Sequence, residues 1–432
     1  MLKRKIFNEL ITWKSQANRK SLLVKGARQV GKTTTIRQFA KENYKNFVEI
    51  NFEQMPLVRE AFNGNLDART VILNLSSMGL GPFVKGETLV FFDEIQSCPQ
   101  ARTAIKFLVE EGSFDYIESG SLLGLNFSDV SSYPVGYEHQ IEMYPLDFEE
   151  YLLASNISSE VISTLRQCYE TNAIVPDFLH KRIMEKFREF LIVGGMPEAV
   201  SMFLYDFDFG KTKSIQQDIL NSYRDDISKY AGKDKLLAKS VFDAIPQQLS
   251  KQDKRFVLAD IEKGASQRKY GEPTEWLSDA GIAYFSFNTK TLELPFALQE
   301  NRSLYKLYMF DTGLLCNMAL DAVQADVLQG KIDINEGALT ENFVATELFK
   351  HGKSLNYYDK KSRQELDFVF PENNRISIIE VKSGKNYKSH SSLTSAITQN
   401  LDKMARAMVL SRFNVEQVGA IQYYPLYMAM FI

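Results

Sequence analysis

The sequence predicts an α/β fold, with a parallel sheet in the first 150 residues, a mostly helical middle, and a second α/β or α+β unit toward the C-terminal end. Three observations point to it. Short, near-continuously apolar runs (Ser21 to Lys25, Asn46 to Phe52, Glu87 to Phe92 and Asp115 to Glu118) alternate with helix-length segments, the pattern of parallel strands buried on both faces. The first of these runs opens into a glycine-rich loop, GARQVGKTT from Gly26 to Thr34, and then into a helical pattern. A later helical stretch, NEGALTENFVATELFKHG, is followed by the strand-like runs SLNYYD, ELDFVF and ISIIEVK.

At the N-terminal end, MLKRKIFNELITWKSQ interleaves charges with apolar residues at helical spacing, so it reads as a helix rather than a secretory leader. No uncharged apolar run approaches the roughly 18 residues of a membrane helix. Cys98, Cys168 and Cys316 are odd in number and far apart, which suits a reducing compartment. A cytoplasmic protein without a membrane partner is the expectation. The chain has 432 residues, 44% hydrophobic and 24% charged, which excludes disordered and low-complexity classes. Its 51 Lys and Arg against 54 Asp and Glu leave no global cationic field, so any nucleic-acid contact needs a local patch.

GARQVGKTT matches GxxxxGK[ST] and sits between a strand (Ser21 to Lys25) and a helix (Thr33 to Glu42), the context this pattern requires. Gly26 and Gly31 allow the main chain to wrap phosphates, so the N–H groups of Gly26, Ala27, Arg28, Gln29, Val30, Gly31, Lys32, Thr33 and Thr34 form the expected cradle. Lys32 is expected to neutralise β/γ-phosphate oxygens, and Thr33 to ligand Mg²⁺. ATP and Mg²⁺ are thus the expected cofactors. About 60 residues on, TLVFFDEIQ ends a continuously apolar strand with Asp93 and Glu94, at the carboxyl edge where α/β sheets bind ligands. Asp93 is expected to hold Mg²⁺ through water and Glu94 to polarise the attacking water. A strand-to-helix cap is the other reading of the same pair. DYIESGS ends a further strand with Ser119 and Ser121, either γ-phosphate sensors or ordinary caps.

From Leu152 to about Tyr230 the patterns are helical, interrupted by the turn at Gly194, Gly195 and Pro197, which suggests a lid or connector. Residues 229–270 carry ten Lys and Arg against five acids, beside Tyr230, Phe242, Phe256 and Tyr270. The patch either docks on a phosphate backbone, with Gln247, Gln248, Ser250 and Gln267 free to meet bases, or is a lysine-rich helical surface. PTEWLSDAGIAYFSF after it reads as helix, followed by a hairpin.

In YYDKKSRQELDFVFPENNRISIIEVKSG two β-rich runs flank PENN, so an antiparallel hairpin is expected. Strand alternation puts Glu380 and Lys382 on one face, with Glu365 and Asp367 on the same side of the partner strand, while Val381 and Phe368 point away. Asp-x12-Glu-x-Lys is the arrangement of two-carboxylate nucleases of the PD-(D/E)xK type. Asp367 and Glu380 are expected to bind Mg²⁺, Lys382 to orient water and steady phosphate charge, and Glu341 to match the acidic helix residue that such folds add. A solvated hairpin face with cross-strand Glu–Lys pairs fits the same spacing.

GARQVGKTT, FFDEIQ, ESGSLLG, MYPLDFEEYL, FLIVGGMPEAV, YRDDISKY, KLYMFDTGLL and IEVKSG, in this order, resemble a family of prokaryotic AAA-type ATPases with an uncharacterised C-terminal domain, similar to archaeal-type ATPases. The resemblance spans essentially the whole chain. It implies a P-loop AAA-type core (1–152), a helical connector (153–228), a basic winged-helix-like region (229–295) and a restriction-endonuclease-like domain (296–432). It also implies ATP binding and a homo-oligomer in which a neighbour supplies an arginine. The family has Gly-Arg shortly before MYPLDF, where this chain reads PVGYEHQ with Tyr137 in place of the arginine, leaving Arg188 or Arg224 as substitutes. The expected function is an Mg-ATP-dependent ATPase coupled to a nuclease-like module acting on DNA. An ATP-driven switch with a catalytically silent C-terminal domain is the alternative. His139, His180, His351 and His390 lie far apart and no GxSxG occurs, so zinc and serine-nucleophile chemistry are not expected.

Overall fold

Five parallel strands form the first sheet: β1 (Ser21–Gly26), β2 (Asn46–Asn51), β3 (Thr88–Asp93), β4 (Asp115–Ser121) and β5 (Glu138–Glu142), in the order β2-β3-β4-β1-β5. This computed structural model describes residues 2–121, 134–319, 336–360 and 364–432. Leu122 to Gly124 of the ESGSLLG run lie outside the described residues. The chain divides into one unit of residues 3–144 with 279–281 and another of 145–278 with 282–432.

In the first unit, α1 (Ile6–Ser15), α2 (Lys32–Asn43), α3 (Ala68–Ser77) and α4 (Pro99–Glu111) accompany the sheet. All six positions of β3 are buried, which is why TLVFFD is apolar without alternation. Phe52, Phe62, Phe92 and Tyr116 form an aromatic core beside it, with ring centroids 5.6 to 6.1 Å apart. The four strands read from the sequence are present. The edge strand β5 was not foreseen, because EHQIE buries only Ile141 and has no apolar period to betray it.

The second unit begins with helices α5 (Phe148–Ala154), α6 (Ser159–Thr171), α7 (Asp177–Val193), α8 (Pro197–Asp206) and α9 (Phe209–Tyr230), continues through α10 (Lys235–Leu249) and α11 (Gln267–Asp279), and adds α12 (Thr312–Ala319), α13 (Glu336–Lys350) and α14 (Ser391–Asn400). Its eight strands are β6 (Ala283–Thr289), β7 (Glu300–Met309), β8 (Asn356–Asp359), β9 (Glu365–Glu372), β10 (Arg375–Lys382), β11 (Met404–Ser411), β12 (Glu416–Val418) and β13 (Ile421–Pro425). They lie in the order β12-β13-β11-β10-β9-β8-β6-β7.

One expectation fails here. The helical reading of PTEWLSDAGIAYFSF holds only to Asp279, and AYFSF is strand β6. Gly281, at φ 70°, stops the helix, and the aromatic run beyond it pairs antiparallel with β7. The β9–β10 hairpin is present, but its turn is Asn373 and Asn374, both left-handed, while Pro371 and Glu372 belong to β9.

Three of the runs that carry the family resemblance meet in this unit. Asp147 caps α5 in a reciprocal box with Glu150, at 2.8 and 3.1 Å. Phe148 then packs against Phe187, Phe190 and Phe343. Asp311 accepts from the N–H of Gly195 at 2.7 Å and of Leu314 at 2.9 Å, tying the GGMP turn to DTGLL. A Cβ on Gly195 would stand 2.1 Å from the Leu146 carbonyl oxygen, a main-chain atom with no room to yield. Gly195→Val is therefore expected to cost at least about 2 kcal/mol. A melting temperature equal to that of the parent chain would refute this.

Candidate functional site

Strand β4 lies between β1 and β3, so the glycine loop after β1, Asp93 at the end of β3 with Glu94 beyond it, and Ser119 near the end of β4 share one carboxyl edge. Gly26 is held to glycine by a close approach: a Cβ there would lie 2.2 Å from the Met143 carbonyl oxygen. Gln29 (φ 62°) and Gly31 (φ 97°) are left-handed, and these reversals fold the loop back onto the start of α2. Arg4 pins the loop from outside by donating to the Val30 carbonyl at 2.8 Å.

Lys32 is 7% exposed, and its ammonium donates to the loop carbonyls of Gly26 (3.0 Å) and Ala27 (2.8 Å). Burial pulls its pKa down to about 8 against the opposing pull of Glu94 and Asp93. Thr33 Oγ1 sits 3.2 and 3.1 Å from the two oxygens of Asp93. Asp93 also accepts from Asn51 Nδ2 at 2.9 Å and from the Ser119 hydroxyl. Four of the expected residues thus come together here: Lys32, Thr33, Asp93 and Ser119. Glu94 follows in a left-handed conformation, accepts from Gln96, and has its carboxyl raised by burial. Arg28 stands 4.0 Å from Glu53, and Thr34 faces solvent. Asn51 was missed by sequence reasoning; it meets Asp93 through the β2–β3 register, which no local pattern announces. Loop, ammonium and hydroxyl–carboxylate pair suit a polyphosphate with a hard divalent cation.

The second cluster lies on the β9–β10 hairpin. Glu365, Asp367, Glu380 and Lys382 line one pocket of about 210 Å³ together with residues 389–392. Lys382 Nζ is 3.0 Å from Glu380 Oε2, while Glu380 Oε1, buried, has no hydrogen-bond partner among the described residues. Asp367 accepts from the Val381 N–H at 2.8 Å. Burial, then the neighbouring Asp367 charge, raises the Glu380 carboxyl, and burial followed by Glu341 raises Asp367. Burial alone would lower Lys382, but Glu380 and Asp367 hold its ammonium above the usual range. Glu341 does not line the pocket. It is 1% exposed beneath it, bonded by Tyr308 Oη (2.6 Å), Lys306 (3.2 Å) and Lys254. Burial would raise its carboxyl, but Lys254 and Lys306 outweigh that and pull it down to about 2. Lys306 also reaches Glu365 (3.1 Å) and Asp367 (4.0 Å). Its role was invisible in the sequence, where it is one charge in KLYMFDTGLL. The two carboxylates and the unpartnered oxygen fit a hard cation. No group of three or more His, Cys, Asp or Glu is gathered to hold an ion among the described residues.

In the basic segment, Lys251, Lys254, Arg255 and Lys269 are each paired with a carboxylate. Gln248, expected to be free for bases, is buried and bonded to the Val257 carbonyl at 3.2 Å. Of the substitute arginines, Arg224 is 2.9 Å from Asp243. Tyr137 supplies its carbonyl to Ser21. No helix among the described residues is long and apolar enough to cross a membrane.

Residues 18–152 match the family model of an AAA domain, while residues 184–325 and 336–426 match two domains of unknown function, DUF8612 and DUF4143. No curated protein matches the chain. Among solved structures, the chain is similar to the Walker-type ATPase of Pyrococcus abyssi, at 16% identity over 74% of this chain and 96% of that one, with a TM-score of 0.48. It is also similar to the Aeropyrum pernix Orc1 protein solved with DNA (11% identity, 76% and 93%, TM-score 0.28) and to Thermotoga maritima RuvB (15% identity, 68% and 91%, TM-score 0.31). Residues 18–152 thus match an AAA domain, and their parallel sheet and phosphate loop resemble the core of a P-loop ATPase.

Proposed function

We propose that this chain binds and hydrolyses Mg-ATP at the β1–α2 loop, and that the pocket on its β9–β10 hairpin cleaves phosphodiesters of DNA with a divalent cation. The observation that carries the first part is the buried Lys32 ammonium, held on the loop's own carbonyls beside the Thr33–Asp93 pair. Those carbonyl bonds are exchangeable: a polyphosphate offers stronger, charge-assisted acceptors to the same ammonium. Thr33 and Asp93 would hold Mg²⁺, which supplies charge neutralisation on the phosphates. Ser119 and Asn51 keep the Asp93 carboxylate oriented through hydrogen bonds, and Glu94 would align a water.

The second part rests on Asp367, Glu380 and Lys382 lining one pocket. Asp367 and Glu380 would hold the cation, which supplies a polarised phosphoryl group and an acidified water. Lys382, kept charged by Glu380, offers its ammonium to the developing phosphate charge. Lys382→Ala is expected to lower Mg²⁺-dependent cleavage of DNA by at least about 100-fold while ATP hydrolysis stays at the parental rate. If the parent chain cuts no DNA under any combination of Mg²⁺, Mn²⁺ and ATP, the pocket is a silent surface and the chain is an ATP-driven switch.

A further inference from the structure

One face of β4 carries a carboxyl group in the apolar interior of the first unit. Glu118 is fully buried, in register with Leu23 of β1 and Phe92 of β3, both core residues. From α4 comes Arg102, also buried, whose Nη1 stands 3.4 Å from Glu118 Oε2. The same guanidinium sits closer to Glu138, the first residue of β5, with Nη2 2.8 Å from Oε2 and 3.0 Å from Oε1. Gln140 donates to Glu138 as well, at 2.6 Å. From β1, the Ser21 hydroxyl bonds Glu118, while Lys25 lies at the other end of that strand in register with Glu142. Glu118 Oε1 is sealed from solvent and has no hydrogen-bond partner among the described residues.

A carboxylate sealed in the core, with one long ion pair and one oxygen without a partner, is costly, and such a group escapes the cost by keeping a proton. A proton needs no room, so the absence of a cavity around Oε1 does not count against it. Burial, then the Glu138 charge, raises the Glu118 carboxyl against the pull of Arg102 and Ser21. We infer that Glu118 is a proton-binding site that controls the edge strand β5. While the proton is in place, Arg102 clamps Glu138 and with it the start of the strand. When the proton leaves, the new carboxylate competes for the same guanidinium and the clamp loosens. Strand β5 is suited to respond, because it lies at the sheet edge and Ile141 is its one buried position. Neither ATP nor a metal enters, so this inference stands apart from the proposed function.

The sign follows from the raised carboxyl. The folded chain holds this proton more tightly than the unfolded chain, so the stability it contributes is full below the ordinary carboxylate range and is lost as pH rises through the raised value. The measurement is hydrogen exchange of the β5 amides in the full chain, corrected for its intrinsic pH dependence, at about pH 5 and about pH 9. In the parent, β5 is expected to open at least about tenfold more readily at the higher pH, the factor carried by one unit of pKa difference. Glu118→Gln keeps the shape and cannot ionise, so its β5 exchange should not change with pH. A parental pH response of β5 in Glu118→Gln overturns the proposal, and so does a flat response in the parent. Should Glu118→Gln fail to fold, Glu138→Gln decides. With Arg102 left to Glu118 and no clamp to release, β5 should lose its pH response, and a retained response overturns the inference.

Discussion

Lys32→Ala is expected to remove ATP hydrolysis, by at least about 100-fold in turnover, and to raise the dissociation constant for ATP. Three features of the loop set this expectation. The ammonium is nearly sealed from water, its hydrogen bonds among the described residues are to Gly26 and Ala27 of the loop itself, and the left-handed Gln29 and Gly31 fold that loop around it. A charge in this position contributes little to the fold. Its lowered pKa means that the folded protein holds the proton less tightly than water would, so the charged form is there at a cost in stability. Removing the group should therefore leave the first unit as stable as before, or slightly more so. Lost turnover with an unchanged or higher melting temperature would identify a functional charge. Parental ATPase kinetics in Lys32→Ala would defeat the assignment, whereas a collapsed fold would contradict the reading of Lys32 as dispensable for stability.

The phosphate loop was legible because everything it needs is local. Strand, glycines, lysine, threonine and helix occur within about 25 consecutive residues, and main-chain reversals demand glycine where no other residue fits. Asp93 was legible because six consecutive buried positions announce the strand that delivers it. The convergence of Asp367, Glu380 and Lys382 was legible from strand alternation alone, since a hairpin with a two-residue turn fixes which side chains share a face. What escaped is what depends on long-range register. Asn51 reaches Asp93 only because β2 and β3 pair as they do, and Lys306 reaches three carboxylates only because β7 belongs to the same sheet as β9. The segment AYFSF misled because a short aromatic run carries no period of its own, and its strand character comes from the partner β7. The basic excess of 229–270 also lost part of its meaning once pairing was visible, because sequence counts charges and cannot show that Lys254 is spent on a buried glutamate from the helix at 336–350.

The network under the hairpin pocket gives the largest stability effect. Lys306, fully buried, stands between Glu341, Glu365 and Asp367, and its ammonium is held strongly charged because those carboxylates outweigh the burial penalty. Glu380 and Lys382 complete the cluster from β10, and Lys254 from the basic segment. Among the described residues, Glu341, Glu365, Asp367 and Glu380 thus gather around the ammonium groups of Lys306, Lys382 and Lys254. Lys306→Met keeps the apolar stem and removes the charge, leaving Glu341 with Lys254 and Tyr308 and Asp367 with less opposing charge against Glu341. Breaking a buried pair in this way costs about 3–5 kcal/mol, read as a lower melting temperature for the second unit. Glu341→Leu added to Lys306→Met should recover part of that loss, because it removes the carboxylate that lost its partner. If the pocket is a cation site, Ca²⁺ should also stabilise Lys306→Met more than it stabilises the parent chain, since a bound ion screens the same carboxylates. Equal melting temperatures for parent and Lys306→Met would show that the acids adjust without the lysine. A full stability loss with no extra response to Ca²⁺ would leave Lys306 as a structural counter-charge and turn the evidence against a cation on Asp367 and Glu380.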